Sequence, residues 1–405
     1  MNNSTIGLLP SANAAIADVA HLTYREKTNL GSFYTPPPVV HQVYEMLRRN
    51  VGDDAVDVIL ETSCGYGAFF AVPPSQARAR LVGADLDPAA LAVARCNFPL
   101  VTFVETNGLA HISRTKYGVG ENERLLIVGN PPYNDVTSHV KNRVKATPCE
   151  IDDAVRTRDL GLSFLLSFAK LEPDLIAVLH PLSYLIKEAN FRILRPLMRN
   201  YALRDTLVFN SQAFSETSKS SGFPIVIAFY ARDSRGTTYT DILRRRFTTL
   251  EGASFCISDF DYVCRYITKY PTRLSSFRPR ESYRFYTMRD INALKRSRTF
   301  IREDTANTIH ILPEKLSYYC YVDAFKDIAN TLPYYLGNLD VMFDHAEFEK
   351  IKDDFLLLSA AKHPDIFPST LRVRNPERYR SACDNVRAYF ARLLVSHCHV
   401  YPSKN

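Results

Sequence analysis

Along the first 232 positions the apolar residues fall into short runs of four to seven, separated by stretches where they recur every three or four residues. Runs of that length between turn residues predict buried strands, at Val56–Leu60, Leu81–Ala84, Val101–Val104, Leu125–Val128, Leu175–Leu179, Leu203–Phe209 and Pro224–Tyr230. The intervening spacing predicts helices over Val39–Asn50, Pro88–Asn97, Leu160–Leu171 and Lys187–Arg199. Alternation of this kind predicts an α/β fold with a doubly wound, mostly parallel sheet of seven strands. At Asp233-Ser234-Arg235-Gly236 the chain turns polar, and beyond it Arg, Tyr and Phe replace the alternation. The break predicts one domain over residues 1–235 and a smaller α+β domain over 236–405. Aromatic clusters at Tyr318–Tyr321 and Tyr334-Tyr335-Leu336 are expected in the core of the second domain.

Charge sharpens this division. Asp241 to Phe300 holds 13 Lys and Arg against 6 Asp and Glu, an excess equal to the +7 of the whole chain. A basic segment so concentrated suits a polyanion, with a solvated basic surface as the alternative. Arg244-Arg245-Arg246, and the run from Arg273 to Arg298 that includes Arg278, Arg280 and Arg284, interleave guanidinium groups with Tyr283, Phe285 and Tyr286. The eight cysteines include no CxxC pair, which argues against a disulfide framework or a structural zinc site. Neighbours in His397-Cys398-His399 would point in different directions, so no metal is expected there. No apolar run is long enough for a membrane span, and Met1 to Ala20 lacks the basic start of a signal peptide. The expected placement is cytoplasmic and nucleoid-associated.

Four segments carry candidate chemistry. In Ile127-Val128-Gly129-Asn130-Pro131-Pro132-Tyr133 an apolar strand ends in a rigid polar turn. That turn falls at the carboxyl edge of the sheet, where open α/β folds bind ligands. Upstream, Glu61-Thr62-Ser63-Cys64-Gly65-Tyr66-Gly67 is a strand end followed by a small-residue loop that admits close approach of a ligand to the backbone. It lacks full GxGxxG spacing, which leaves a dehydrogenase a distant third reading. In Val82-Gly83-Ala84-Asp85-Leu86-Asp87-Pro88, Asp85 can accept both hydroxyls of a ribose, while Asp87 caps a helix opened by Pro88. Finally, Tyr34-Thr35-Pro36 precedes a helix and lies ahead of the glycine loop.

Together and in this order, these motifs resemble the gamma-type N6-adenine DNA methyltransferases of restriction–modification systems. The resemblance covers about the first 230 residues. It implies the Rossmann-like class I methyltransferase sheet, S-adenosyl-L-methionine as methyl donor, duplex DNA as substrate and a C-terminal DNA-recognition domain. It also implies a functional pairing with a restriction endonuclease. The protein is expected to be a monomer or weak dimer. By the same resemblance Asn130, Pro131, Pro132 and Tyr133 form the catalytic turn. The Asn130 side-chain oxygen and the Pro131 carbonyl each accept one N–H of the target amino group, and Tyr133 stacks on an extruded base. Cofactor contacts are implied for Tyr34, Thr35, Glu61, Ser63, Gly65, Gly67, Asp85, Leu86, Asn107, Gly108 and Asn130. Asn107 stands where the family usually has Asp, and its amide oxygen can still accept from the amino group of the cofactor's adenine. His180-Pro181-Leu182-Ser183-Tyr184 resembles the segment lining the base pocket. Phe214, with Phe223 as the alternative, stands where the family places a second stacking ring.

DNA contacts are expected from Lys141, Arg143 and Lys145 after the catalytic turn. In the second domain they are expected from Arg244, Arg245, Arg246, Arg278, Arg280 and Arg284. The alternative role for that domain is dimerisation or a lid. The Asn-Pro-Pro-Tyr turn also occurs in enzymes that methylate glutamine in release factors or guanine in ribosomal RNA. An RNA or protein N-methyltransferase, and a non-catalytic DNA-binding module, are therefore the competing readings.

Overall fold

The computed structural model describes residues 35–51, 56–71, 79–133, 150–214, 222–271, 283–371 and 375–397. The chain forms two compact units, Met1–Ile242 and Leu243–Asn405. The division lies beyond the turn at residues 233–236 because the next residues stay tied to the first unit. Thr237 Oγ1 donates to the Tyr201 carbonyl at 3.0 Å and accepts from Leu203 N–H at 2.8 Å. The Tyr239 hydroxyl donates to the Ile186 carbonyl at 2.8 Å.

In the first unit α1 (Pro37–Val51) precedes β1 (Val58–Glu61), β2 (Arg80–Asp85), α2 (Pro88–Asn97), β3 (Thr102–Glu105) and β4 (Leu125–Gly129). Next come α3 (Leu160–Leu171), β5 (Leu175–Pro181), three short helical turns, β6 (Tyr201–Asn210) and β7 (Pro224–Arg232). The strands run β3-β2-β1-β4-β5-β7-β6, with β7 antiparallel to both neighbours and the remaining pairs parallel. The interior strands β1 and β4 are buried at every position, as expected where helices cover both faces of a parallel sheet. The edge strand β3 is exposed or half-buried at every position, as a sheet margin is. In α1 the stripe Val39, Val43, Met46 and Leu47 repeats at helical spacing and packs on the sheet core with Leu179, Phe209 and Phe229.

Helix starts follow the predicted caps. The Asp87 carboxylate accepts from Ala89 and Ala90 N–H at 2.9 and 3.3 Å, with Pro88 in the first turn. The single helix expected over Lys187–Arg199 is two pieces, Glu188–Ile193 and Arg195–Met198. Pro196 has no N–H to continue the ladder.

The second unit combines short antiparallel pairs with helices. β8 (Arg246–Thr249) pairs with β9 (Ser254–Cys256), β10 (Asp261–Tyr262) with β13 (Met342–Phe343), and β11 (Arg284–Tyr286) with β12 (Thr308–His310). Helix α4 (Ile291–Arg296) lies between β11 and β12. The unit closes with α5 (Leu316–Ala329), α6 (His345–Lys362) and α7 (Pro376–His397). Tyr319, Tyr321, Tyr335 and Leu336 are buried, whereas Tyr318 and Tyr334 are half-buried. Tyr321 sits at the centre, meeting Phe343, Phe355 and Tyr389 edge-on at ring separations of 4.9, 5.1 and 5.7 Å. No helix among the described residues is long and apolar enough to cross a membrane.

One buried carboxylate ties α5 to α6. Asp323 accepts from Thr299 Oγ1 at 2.6 Å, Ser359 Oγ at 3.1 Å and His363 Nε2 at 3.0 Å, with Lys362 Nζ at 3.5 Å. Burial pushes this carboxyl up, but the His363 bond and the Lys362 charge outweigh burial and hold it below its ordinary value. Its contribution to stability is therefore present above the ordinary carboxylate range and lost as pH falls below it. Asp323→Ala should lower the unfolding free energy of the second unit by about 2–3 kcal/mol, since four donors lose one charged acceptor. Urea unfolding followed by circular dichroism measures it; an unchanged midpoint would show the network to be dispensable.

Candidate active site

The carboxyl ends of β1, β2, β3 and β4 converge. At the end of β4, Gly129 has φ 148°, and a Cβ there would lie 3.3 Å from Glu61 Cγ. Only glycine allows the turn that follows to sit against the end of β1. A Cβ on Gly108, after β3, would come within 2.9 Å of the Thr62 carbonyl oxygen and of the Phe164 ring. The glycine loop and the Asn130-Pro131-Pro132-Tyr133 turn are thus walls of one region.

Asn130 is held at one end only. Its Nδ2 donates to the hydroxyl of Thr35 at 3.2 Å, and Thr35 is itself buried. Its Oδ1 is buried and has no hydrogen-bond partner among the described residues; neither do Glu61 Oε2 and Thr62 Oγ1. An unpaired buried acceptor costs about 1–3 kcal/mol, so three together mark where a ligand's donors would be satisfied. Burial, then the nearby Asp85 charge, raises the Glu61 carboxyl well above its ordinary range. A cationic group would reverse that shift. Glu61 and Thr62 fit the ammonium-bearing methionine end of S-adenosylmethionine, which leaves Asn130 Oδ1 to a second ligand.

The residues expected at the ribose and adenine are less uniform. Asp85 is half-buried, and burial raises its carboxyl while the Asp87 and Gly65 N–H bonds oppose the rise. Those bonds run at 2.9 and 2.7 Å, one to each carboxylate oxygen. Leu86 is 57% exposed beside it, an apolar surface suited to one face of a purine. Asn107 is engaged at both ends of its amide: Oδ1 accepts from Leu109 N–H at 2.9 Å and Nδ2 donates to the Glu150 carbonyl at 2.6 Å. It shapes the loop before anything else. Ser63 and Gly65 are half-buried and Gly67 is buried, while Tyr34 lies outside the described residues.

In the Asn130-Pro131-Pro132-Tyr133 turn itself, Pro131 is buried, and Pro132 and Tyr133 are half-buried. Burial raises the Tyr133 phenol, with a bond from Asn130 opposing it. A Cβ on Gly161 would lie 2.8 Å from Tyr133 Cβ and 2.5 Å from the Tyr184 hydroxyl, so both side chains crowd the start of α3. There Asp159 caps the helix through Gly161 N–H at 2.9 Å and also accepts from the Tyr184 hydroxyl. Tyr184 stacks on His180 with ring centroids 5.5 Å apart. Burial lowers His180 to about 4, and its ring is fully enclosed. Because the Pro181 carbonyl can only accept, Nδ1 carries the proton, and Nε2 accepts from the Tyr230 hydroxyl at 2.9 Å. Asp159 was absent from the sequence-derived set, although an Asp before an apolar helical run is a recognisable cap. Thr62 was also missing, and nothing local in the sequence marks its hydroxyl as unpartnered.

Phe214 does not stand where a stacking platform would. Asn210 caps a tight turn at Ser211–Ala213, and Phe214 turns inward, 2% exposed, against Phe209 at 5.8 Å. Phe223 is half-buried and packs on the same core cluster as Tyr133. The cationic residues also divide. Lys141, Arg143, Lys145, Arg278 and Arg280 lie outside the described residues, as do Cys398 and His399. Arg244 and Arg246 are exposed and Arg245 is half-buried, with Arg246 3.9 Å from Asp259. Arg284 donates to Asp304 at 3.0 Å, which satisfies part of its fork within the unit.

Residues 19–234 match the model of the family described as N-6 DNA Methylase, more than half of the 405-residue chain. Among solved structures, the chain is similar to the methyltransferase subunit of a type I restriction–modification system from Streptococcus thermophilus. Identity there is 17% over 56% of this chain and 48% of that one, with a TM-score of 0.38. A Vibrio vulnificus protein described as a modification subunit of a type I restriction enzyme aligns at 16% identity, over 54% of this chain and 47% of that one, with a TM-score of 0.38. The N-methyltransferase NodS from Bradyrhizobium japonicum, solved with S-adenosyl-L-homocysteine, aligns at 15% identity over 52% of this chain and 97% of that one, with a TM-score of 0.31. The chain spans about half the length of the two restriction–modification subunits. No curated protein matches the sequence.

The His180 arrangement has a pH signature. A histidine depressed on folding stabilises the protein above its unfolded value near 6.5, and that contribution is lost as pH falls toward about 4. Between pH 7 and 4.5 the wild-type chain should lose about 2–3 kcal/mol more than His180→Gln, which keeps neutral hydrogen bonding. Urea midpoints across that window decide it; parallel curves would mean His180 is not buried neutral.

Proposed function

Because the chain belongs to the N-6 DNA methylase family, we propose that it methylates the exocyclic N6 amino group of an adenine turned out of duplex DNA. S-adenosylmethionine, when bound, supplies a methyl group already activated by a sulfonium. Glu61, Thr62 and Thr35 hold its methionine end, Asp85 its ribose and Leu86 its adenine. The same residues fix where the donor carbon lies relative to the target nitrogen.

The remaining task falls to the catalytic turn. An exocyclic amino group is a weak nucleophile because its lone pair is delocalised into the ring. The carrying observation is the buried, partnerless Asn130 Oδ1, aimed by the Thr35 bond at its other end. That oxygen and the Pro131 carbonyl accept the two N–H groups and favour a pyramidal nitrogen. A cofactor held as described would supply its methyl group to that nitrogen, and the proton then in excess on nitrogen would pass to solvent. Tyr133 stacks on the extruded base, and Phe223 rather than Phe214 takes the second stacking role. The C-terminal unit recognises a short DNA sequence, and the enzyme modifies that sequence alongside a restriction endonuclease.

Asn130→Ala should bind S-adenosylmethionine normally yet transfer methyl groups about 100-fold more slowly, since the lost contact acts mainly in the transition state. Tritiated methyl transfer to duplex DNA tests it, with tRNA, ribosomal RNA and a release factor as parallel substrates. Near-normal activity of the variant, or preference for one of the other substrates, would overturn the reading. Calorimetric titration gives a second check. Affinity for S-adenosylmethionine should rise with pH through and above the ordinary carboxylate range, because Glu61 must lose its proton to meet a cation. Glu61→Gln should bind more weakly and without that pH dependence.

A further inference from the structure

The second unit contains a concavity that the methyl-transfer chemistry does not use. It measures about 550 Å³, within the roughly 300–1,000 Å³ of small-molecule sites, and Tyr270, Tyr286, Arg289, Arg296, Arg298 and Asn307 line it. Its walls are fixed by the backbone. Tyr286 closes β11, and its N–H donates to the Thr299 carbonyl at 2.8 Å, which places Arg298 beside it. Arg296 ends α4, whose start is capped by Asp290 through Ala293 N–H at 2.8 Å. Asn307 joins the wall through Thr287 N–H at 2.9 Å and through its own Nδ2, which donates to the Tyr286 hydroxyl at 3.1 Å.

The charges here differ from those around them. Arg284, Lys269 and Arg302 are each paired with an aspartate of the same unit. Arg296 and Arg298 are exposed and have no carboxylate partner among the described residues, and Arg289 is exposed on the same wall. The Arg298 guanidinium lies over the Tyr286 ring, 5.4 Å from its centroid, which orients a planar fork of donors. Tyr270 is 52% exposed, with Lys269 Nζ 5.8 Å from its ring centroid. Guanidinium forks suit phosphate oxygens bidentately, and an exposed tyrosine face beside them suits a base. An acidic peptide would use the arginines and leave the ring faces without a partner.

We propose that this concavity binds one nucleotide of a DNA strand, its phosphate on Arg296 and Arg298 and its base against Tyr270. The inference rests on DNA as the substrate, and it assigns the second unit a nucleotide-binding site that the resemblance of the first 230 residues does not supply. Ser297 and Asn307 add donors and acceptors at the wall that can meet the edge of the base.

The test is equilibrium binding of a fluorescent oligonucleotide, single-stranded and duplex, to the full chain across salt concentrations of about 50–200 mM. Arg296→Ala with Arg298→Ala should weaken binding about tenfold or more and shrink the slope of log affinity against log salt by about 1–2. Tyr270→Ala should weaken it about fivefold or more and leave that slope unchanged. All three positions are exposed, so folding should survive; thermal melting checks this. Unchanged strand binding in both variants would overturn the proposal. So would arginine-dependent binding of free dAMP or a polyglutamate peptide with strand binding untouched. Asn130→Ala and titration of S-adenosylmethionine keep the two claims apart. If methyl transfer to DNA fails while strand binding follows these residues, the substrate reading falls and the site stands.

Discussion

The side-chain amide of Asn130 has two ends, and the fold fixes only one of them. Thr35, buried ahead of α1, takes the amide nitrogen, and the amide oxygen is left buried and unpaired at the edge of the sheet. A folded protein tolerates such an orphan where a ligand will meet it. Much of the first unit serves to hold that atom still. The parallel strand β4 delivers the turn, Gly129 lets it lie against Glu61, and two prolines stiffen it.

The surroundings of the orphan oxygen divide by electrostatics. Toward β1 and β2 lie two carboxylates raised by burial, Glu61 and Asp85, which a cation and a pair of hydroxyls would satisfy. Toward β5 lie Tyr133, Tyr184 and a neutral His180, with the Asp159 carboxylate bonded to the Tyr184 hydroxyl. In the proposed reading the charged donor lies on the first side of the amide and the purine on the second. The contrast follows from which strand ends carry acids and which carry aromatics.

Much of this was legible in the sequence. The seven strands were placed by apolar runs, and three of the four long helices by periodicity and caps, because burial on both faces leaves a strong mark. The Asn130-Pro131-Pro132-Tyr133 turn and Asp85 stood out as strand ends because a polar or acidic residue there closes an apolar run. What escaped depends on long-range packing. Phe214 and Phe223 are both aromatic and flank one loop, and only the turn capped by Asn210 decides which ring faces the core. The engagement of Asn107 by Glu150 spans 43 residues. In the second unit, whether an arginine is free or paired depends on aspartates distant in sequence, such as Asp304 and Asp365. Charge counting registered the excess there but could not say which arginines pair with a carboxylate.

The central claim concerns where a methyl group ends up. Native DNA from cells expressing this chain, sequenced for modified bases against cells without it, measures that outcome. The account predicts N6-methyladenine at every copy of one short recurring sequence and at no other adenines. DNA indistinguishable from that of the control cells, while the purified chain labels RNA or protein, would contradict it.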